Sequence, residues 1–393
     1  MENNHLIQKR NTAPIIKKEI KINKNKNKKE RNPGIDLLRI LGMIDIVAFH
    51  IIMHLGEQYP RYKNECIYME IFTQWHISNF GIISGIVGYK SNKYSNLLYL
   101  WLWVLYHSLT IHYFYKRFYP QKLTNIPENE YFLPLLSNNY WYFTSYFKMY
   151  LFLPLINKGL NYIDKAELII IILSLYGILF IWKDLKSKER GNFCKDTSVK
   201  TLLSYYLLGA YIGKFVLNQN KDSKRIINII KNLIYSIILI YIFFKCSNIT
   251  YYSRLYEGNK KYKIILKKLF YNTSNSIGMI LQSLSLTLFI TQIKFNKYIG
   301  KIISFFGPLA FSVYLIHNHI DVRNSRFLRS QFSKYSSNLT PKYIAIYVIY
   351  EATKVFIGCI AIDYIRYLIF KLLKIREICG FLEKMVFAIF KRI

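Results

Sequence analysis

The sequence predicts an all-α integral-membrane fold, a single bundle of about ten transmembrane helices. Three observations lead there. Of 393 residues, 52% are hydrophobic and 17% aromatic, with 35 Tyr and 27 Phe. Apolar runs of span length recur along the chain, separated by polar, lysine-rich stretches. The first of them, Ile35 to Leu55, is by itself long enough to cross a bilayer, which needs ~20 mostly apolar residues.

Taken in order, residues 1–33 hold ten Lys or Arg against three acidic residues. Such a stretch buries no core, so it is expected to be a disordered, basic, cytoplasmic segment. Asn32-Pro33-Gly34 punctuates the chain before the first run. The apolar runs then cover about 35–55, 67–88, 97–116, 140–157, 167–182, 201–217, 226–244, 272–293, 299–317 and 343–363. Tyr140, Trp141, Tyr142 and Phe143 open the fourth run as an interfacial aromatic cluster. Gly81-x3-Gly85 and Gly209-x3-Gly213, in the second and sixth runs, permit close helix contact. Residues 34–375 are read as one transmembrane domain. Residues 376–393 alternate apolar and basic side chains at helical spacing, as in an amphipathic helix lying on a membrane surface.

The net charge of +33 invites a nucleic-acid partner, but the cations sit at span ends and in the tail rather than on a compact domain. No nucleic acid is expected; anionic lipid headgroups are sufficient partners. The five cysteines are scattered, with no CxxC and no zinc spacing. Cys194 and Cys246 fall in loops that can share a compartment, which leaves one disulfide open. The polar, basic N-terminus is no cleavable signal, so the first run serves as its own anchor. The basic termini place both ends in the cytoplasm, and ten crossings are compatible with that.

The first run carries Asp36, Arg39, Asp45, His50 and His54, all costly inside a membrane. The eleven-residue step from Arg39 to His50 turns an α-helix roughly 20° past three full turns and rises ~16 Å. The two therefore share a face, one near each membrane surface. Asp36 and His54 fall within about 40° of that face, whereas Asp45 lies about 140° from His50. Two readings stand side by side. Asp36 pairs with Arg39 at i,i+3 while the histidines find carbonyls, or the stripe lines a pocket. A purely structural span would use leucine, which favours the pocket. Histidine titrates near neutrality and suits a general base, and a guanidinium matches phosphate oxygens. His50-x3-His54 offers a metal two ligands but no third, so no metal is expected.

IDLLRIL followed by His50, then NFGIISG (Asn79–Gly85), YWYFTSYFKMYLFLPLIN (Tyr140–Asn157), YYLLGAYIGKF (Tyr205–Phe215) and FGPLAFSVYLIHNH (Phe306–His319), resemble blocks of the membrane acyltransferase-3 family. The likeness covers about Asn32 to Ile375. It implies an O-acyltransferase that moves acetyl from cytoplasmic acetyl-CoA to a hydroxyl of a cell-surface or exported carbohydrate, in the plasma membrane. By that resemblance His50 is the catalytic histidine and Arg39 the donor-side arginine. Asp36, His54, Ser84, Tyr314 and His317 are candidates for the substrate cavity. Ser84 also reads as a small packing residue, and His317 and His319 as interface residues. His107 and His112 carry no family match.

One block departs from the family. Paired cations are expected before an LW pair at the start of the third run, and this chain has Tyr94, Ser95 and Asn96 there. Lys90 and Lys93, a turn earlier, are the candidates to hold acetyl-CoA in their place. If they do not, an inactive relative is the reading. A transporter or flippase of a lipid-linked sugar would use the same intramembrane charges, but no internal repeat points to one. Lys148, Glu351 and Lys354 are further charges inside apolar runs, either paired or facing the same cavity.

Overall fold

The first helix starts where local chemistry dictates. Asn32 accepts a hydrogen bond from the backbone N–H of Gly34, and Pro33 occupies the first helical turn, where its missing N–H costs nothing. In the computed structural model, which describes residues 31–59, 62–124, 126–135, 138–186, 199–217, 225–255, 276–325, 340 and 343–391, this helix is α1, Pro33–Gln58. Then follow α2 (Lys63–Thr73), α3 (His76–Gly88), α4 (Ser95–Phe118), α5 (Trp141–Tyr162), α6 (Lys165–Lys186) and α7 (Val199–Tyr211). The second half holds α8 (Arg225–Leu255), α9 (Ile277–Gln292), α10 (Lys297–Phe306), α11 (Phe311–His317), α12 (Ile320–Asn324), α13 (Ile344–Leu372) and α14 (Ile375–Phe390). No strand occurs among the described residues.

Helix α1 is the axis of the bundle, packing against α2, α3, α9, α10, α11 and α13. Its later turns, from Met43 to Leu55, enter one core with Val104 of α4, Val313 of α11 and Val348 of α13. Its first turns, at Ile35 and Leu38, enter a second core with α3, α5, α6, α7 and α9. The polar stripe of α1 thus lies between two apolar halves, where side chains from both reach it.

The two small-residue pairs meet each other. A Cβ at Gly85 would lie 2.0 Å from the Tyr206 carbonyl oxygen, and one at Gly209 would lie 2.0 Å from that of Ile82. Only glycine lets α3 and α7 cross so closely. Polar ties hold α7 and the turn after it to α5. Tyr206 donates its hydroxyl to the Asn157 side chain at 2.7 Å, and Lys214 donates to the carbonyls of Leu160 and Ile163 at the end of α5.

Two of the expected runs are broken rather than continuous. The run at 67–88 is interrupted after Thr73, whose carbonyl is taken by the His76 ring and whose hydroxyl returns to Glu70. The run at 299–317 breaks between α10 and α11 at Gly307-Pro308, where the segments meet at 41°. Gly307 packs on Asp36 so closely that a Cβ there would lie 2.4 Å from the Asp36 Cβ. Cys246 is a buried thiol inside α8, not a loop residue. The disulfide left open with Cys194 falls outside the described residues, as do residues 1–30 of the segment 1–33 expected to be disordered. The last three residues of that segment are instead built into the start of α1, with Arg31 on Asp36, Asn32 as cap and Pro33 in the first turn.

By length and apolarity, two helical stretches among the described residues suffice to cross a membrane, Leu233–Tyr252 and Ile344–Leu372, and the bent pair α10–α11 makes a third if counted as one span. The outward faces are strongly apolar. On α8, Leu233, Ile237 and Tyr241 stand 62%, 59% and 59% exposed at i, i+4 and i+8, a stripe that water would not tolerate and acyl chains would. Helix α14 follows Lys374, which turns the chain with φ 49°. It exposes Phe381, Met385 and Phe390 and packs on α4, where Glu383 accepts the backbone N–H of Tyr94 at 2.6 Å.

Candidate active site

The stripe on α1 resolves into two ends with different chemistry. At the first turn, fully buried Asp36 takes two guanidiniums: Arg31 Nε at 2.5 Å on Oδ2, Arg31 Nη2 at 2.7 Å and Arg39 Nη1 at 2.6 Å on Oδ1. Two cations on one carboxylate leave a net positive charge, and guanidinium N–H groups outside these bonds remain to meet an anion. The i,i+3 pair of Asp36 with Arg39 is therefore formed, and Arg31 joins it from the basic segment. Tyr146 of α5 lies within electrostatic range of Arg39, with Ser84 of α3 beside its hydroxyl. Ser84 also donates to the Phe80 carbonyl at 2.8 Å.

At the far end, His50 meets His317. His50 Nδ1 is 3.0 Å from His317 Nε2, and His317 Nδ1 bonds the carbonyl of Val313 one turn back on α11. The pair is 267 residues apart in sequence, joined because α11 packs along α1. His54, His76 and Arg323 face His50 within electrostatic range. Phe49 separates His50 from His76, with ring centroids 5.9 and 5.5 Å away. Asp45 points elsewhere, to His76 Nδ1 at 3.2 Å. Next to the pair stands Tyr314, whose ring lies 6.4 Å from that of Tyr142. The Tyr142 hydroxyl is buried without a hydrogen-bond partner among the described residues.

The family model described as an acyltransferase domain, that of the acyltransferase-3 family, matches residues 32–362. The chain belongs to that acyltransferase family. No curated protein and no solved structure matches. The family and the apolar outer faces together make this an integral membrane acyltransferase.

In this acyltransferase, one face of α5 connects the two ends of the stripe. Tyr142, Tyr146 and Tyr150 recur every fourth residue, so they stack on one side of the helix. Tyr142 reaches Tyr314 beside the histidines, Tyr146 reaches Arg39 and Ser84, and Tyr150 donates to the Lys93 carbonyl at 3.3 Å. Lys90 and Lys93 themselves are exposed in the turn between α3 and α4. Asn157 holds that turn from α5 by donating to the Gly88 and Ser91 carbonyls at 3.0 and 2.6 Å. The two lysines stand at one end of the tyrosine face and the histidine pair at the other.

Two buried networks were not legible as such in the sequence. Asp363 and Arg366 of α13 form a bidentate pair at 2.7 and 2.8 Å, and Trp103 and His107 of α4 complete the Asp363 Oδ1 shell at 3.0 and 2.7 Å. The Arg366 guanidinium stacks 3.9 Å from the Trp103 ring. The signal was available: an Asp and an Arg three apart inside an apolar helix. The second network gathers on Asp321 of α12, which accepts from Tyr131 at 3.0 Å and from the Thr124 N–H at 3.1 Å, with His112 Nδ1 at 3.3 Å. His319 donates through Nε2 to the Ser108 carbonyl and accepts the Asp321 N–H at Nδ1. Burial pushes the His319 imidazole down to about 4, against the pull of the Asp321 charge. Glu351 and Lys354 pair with each other at 2.9 Å, while Lys148 is exposed on α5. A cavity of about 290 Å³ opens between α2, α8 and α13, lined by Glu65, Tyr68, Tyr251 and Ile344, away from the histidine pair.

Proposed function

We propose that this protein is an O-acetyltransferase that takes acetyl from cytoplasmic acetyl-CoA and delivers it to a hydroxyl of a cell-surface or exported carbohydrate in the plasma membrane. The observation that carries the reading is the single stripe of α1, with an arginine cluster at one end and a histidine pair at the other. In this scheme the coenzyme A phosphates meet Arg39 and Arg31, with Lys90 and Lys93 at the entrance. The ~16 Å rise between Arg39 and His50 suits an extended pantetheine arm. On the tyrosine face of α5 the Tyr142 hydroxyl, buried and without a partner among the described residues, is placed to donate to a thioester oxygen.

His50 acts as the general base. The acceptor oxygen attacks the thioester carbonyl carbon while His50 takes the hydroxyl proton. The carbon–sulfur bond then breaks, and His50 returns the proton to the leaving thiolate, giving an acetyl ester and coenzyme A. The crossing pattern belongs to the same proposal: ten spans with both termini cytoplasmic. Reporter fusions at Glu57, Asn220 and Lys391 are expected outside, inside and inside.

The decisive experiment uses sealed vesicles with labelled acetyl-CoA confined to one side and a panel of carbohydrates on the other. Transfer is expected only with donor on the cytoplasmic face. A transporter or flippase of lipid-linked sugars would move sugar without labelling any acceptor, and that result would replace the reading.

A further inference from the structure

The bonding at the histidine pair assigns protons. A backbone carbonyl only accepts, so the hydrogen between His317 and Val313 sits on His317 Nδ1. In a neutral imidazole the other nitrogen then carries only a lone pair. His317 Nε2 must therefore accept, and the hydrogen across the 3.0 Å contact sits on His50 Nδ1. The remaining nitrogen of His50, Nε2, is left with a bare lone pair. The alternative, a doubly protonated His317 donating to His50, would bury a cation among His54, His76 and Arg323, which face the pair. Asp45, the carboxylate of the same stretch of α1, is engaged with His76. A buried cation in basic company is strongly disfavoured.

We infer that His317 is a positioning residue: a neutral histidine, locked by the Val313 carbonyl, that holds His50 in the Nδ1–H form and so presents His50 Nε2 as the base. This deepens the proposed transferase function and rests on it for its catalytic meaning, but the proton assignment stands on the bonding at the pair and the charges around it. The arrangement has a definite role in the reaction. When Nε2 takes the acceptor proton, His50 becomes an imidazolium whose Nδ1–H already points at a lone pair, so no side chain has to reorient. An ordinary hydrogen-bonding triad uses a carboxylate at this place; here a neutral ring fills it, and among the described residues no free carboxylate faces it.

The test has two arms on the full-length protein in lipid. In the first, histidine is labelled with ¹⁵N, and the His50 and His317 resonances are identified by their loss in His50→Gln and His317→Gln. Both rings are expected to carry hydrogen on Nδ1 and none on Nε2 at neutral pH. Hydrogen on His50 Nε2 with a bare Nδ1 would overturn the inference. In the second arm, His317→Leu removes the acceptor while His317→Gln keeps a carbonyl that can take its place. Labelled acetyl transfer should fall at least tenfold in kcat in His317→Leu with acetyl-CoA affinity retained, and recover substantially in His317→Gln. The acid limb of the pH profile should move in His317→Leu. His54, His76 and Arg323 also face His50, so the same profile is recorded in His54→Gln and His76→Gln, where the limb should move less than in His317→Leu. Equal kcat in both His317 variants would overturn the positioning role. If the proton assignment holds and no variant, His50→Ala included, alters transfer, it is the transferase chemistry at His50 that fails.

Discussion

Two histidine-centred regions of this protein are built on opposite principles. Around Asp363, every strong bonding capacity is met: Arg366 is bidentate, and Trp103 and His107 add their N–H groups to one carboxylate oxygen. The assembly is buried on all sides, with Asp363 fully covered and Arg366 1% exposed. Around His50, no free carboxylate faces the ring among the described residues, and Tyr142 holds a buried hydroxyl without a partner among them. Fully satisfied buried charge fixes two helices to each other. Incompletely satisfied polarity leaves bonding capacity for something that arrives. The comparison separates scaffold from site without appeal to which residue is a histidine.

The sharpest way to break that contrast is at the scaffold. Asp363→Ala leaves Arg366 as an unpaired buried cation and should destabilise the protein by ~3–5 kcal/mol, read as a large fall in the unfolding temperature of solubilised protein. Replacing Asp363 and Arg366 together by leucine should recover much of that loss, because no charge is then stranded. A mild effect of Asp363→Ala would remove the distinction between the two regions.

Next in size is the α3–α7 crossing. Gly209→Val puts atoms where the Ile82 carbonyl stands, 2.0 Å from the new Cβ, and overpacking of this kind costs ~1–3 kcal/mol or more. Gly177, with nothing within 4 Å of a Cβ, is the control: Gly177→Ala should be stable within error.

On the site side, Arg39→Ala should weaken acetyl-CoA binding by roughly ten- to a hundredfold, as for a charge-assisted bond of ~1.5–3 kcal/mol, without matching the stability loss of Asp363→Ala. Titration calorimetry or a filter-binding assay checks it. Unchanged affinity would assign Arg39 to the same class as Arg366. Lys90→Ala with Lys93→Ala should have a smaller effect, ~0.2–1 kcal/mol for each exposed cation, and one that fades as salt is raised.

The sequence and the structure part company at identifiable places. Each of the ten apolar runs contains helix, because burial needs were written in composition. The break at Thr73 has no proline or glycine to announce it; a local bond between His76 and the Thr73 carbonyl three residues back marks it, and Asp45 of α1 meets the same ring across the bundle. Gly307-Pro308 did carry a local signal, and the expected continuous run overrode it. Arg39, His50, Ser84, Tyr314 and His317 were all named from the sequence, but the meeting of His50 with His317 spans 267 residues and no spacing rule reaches that far. Arg31 lay within the stretch read as a featureless basic tail, and its bond to Asp36 depends on where the first helix begins. Asp363 and Arg366 stayed hidden because one closes and the other lies beyond the apolar run read as 343–363, whereas the observed helix continues to Leu372.

The measurement that tests the central claim most directly is labelled acetyl transfer by His50→Ala, recorded beside acetyl-CoA binding and beside His54→Ala. His54 lies one turn further along the same helix and about 40° round from the face shared by Arg39 and His50. His50→Ala should lose transfer by the ~10²–10⁴-fold typical of a positioned base, with donor binding and unfolding temperature retained, while His54→Ala stays within a few-fold of the natural rate. Near-full transfer by His50→Ala would contradict the account.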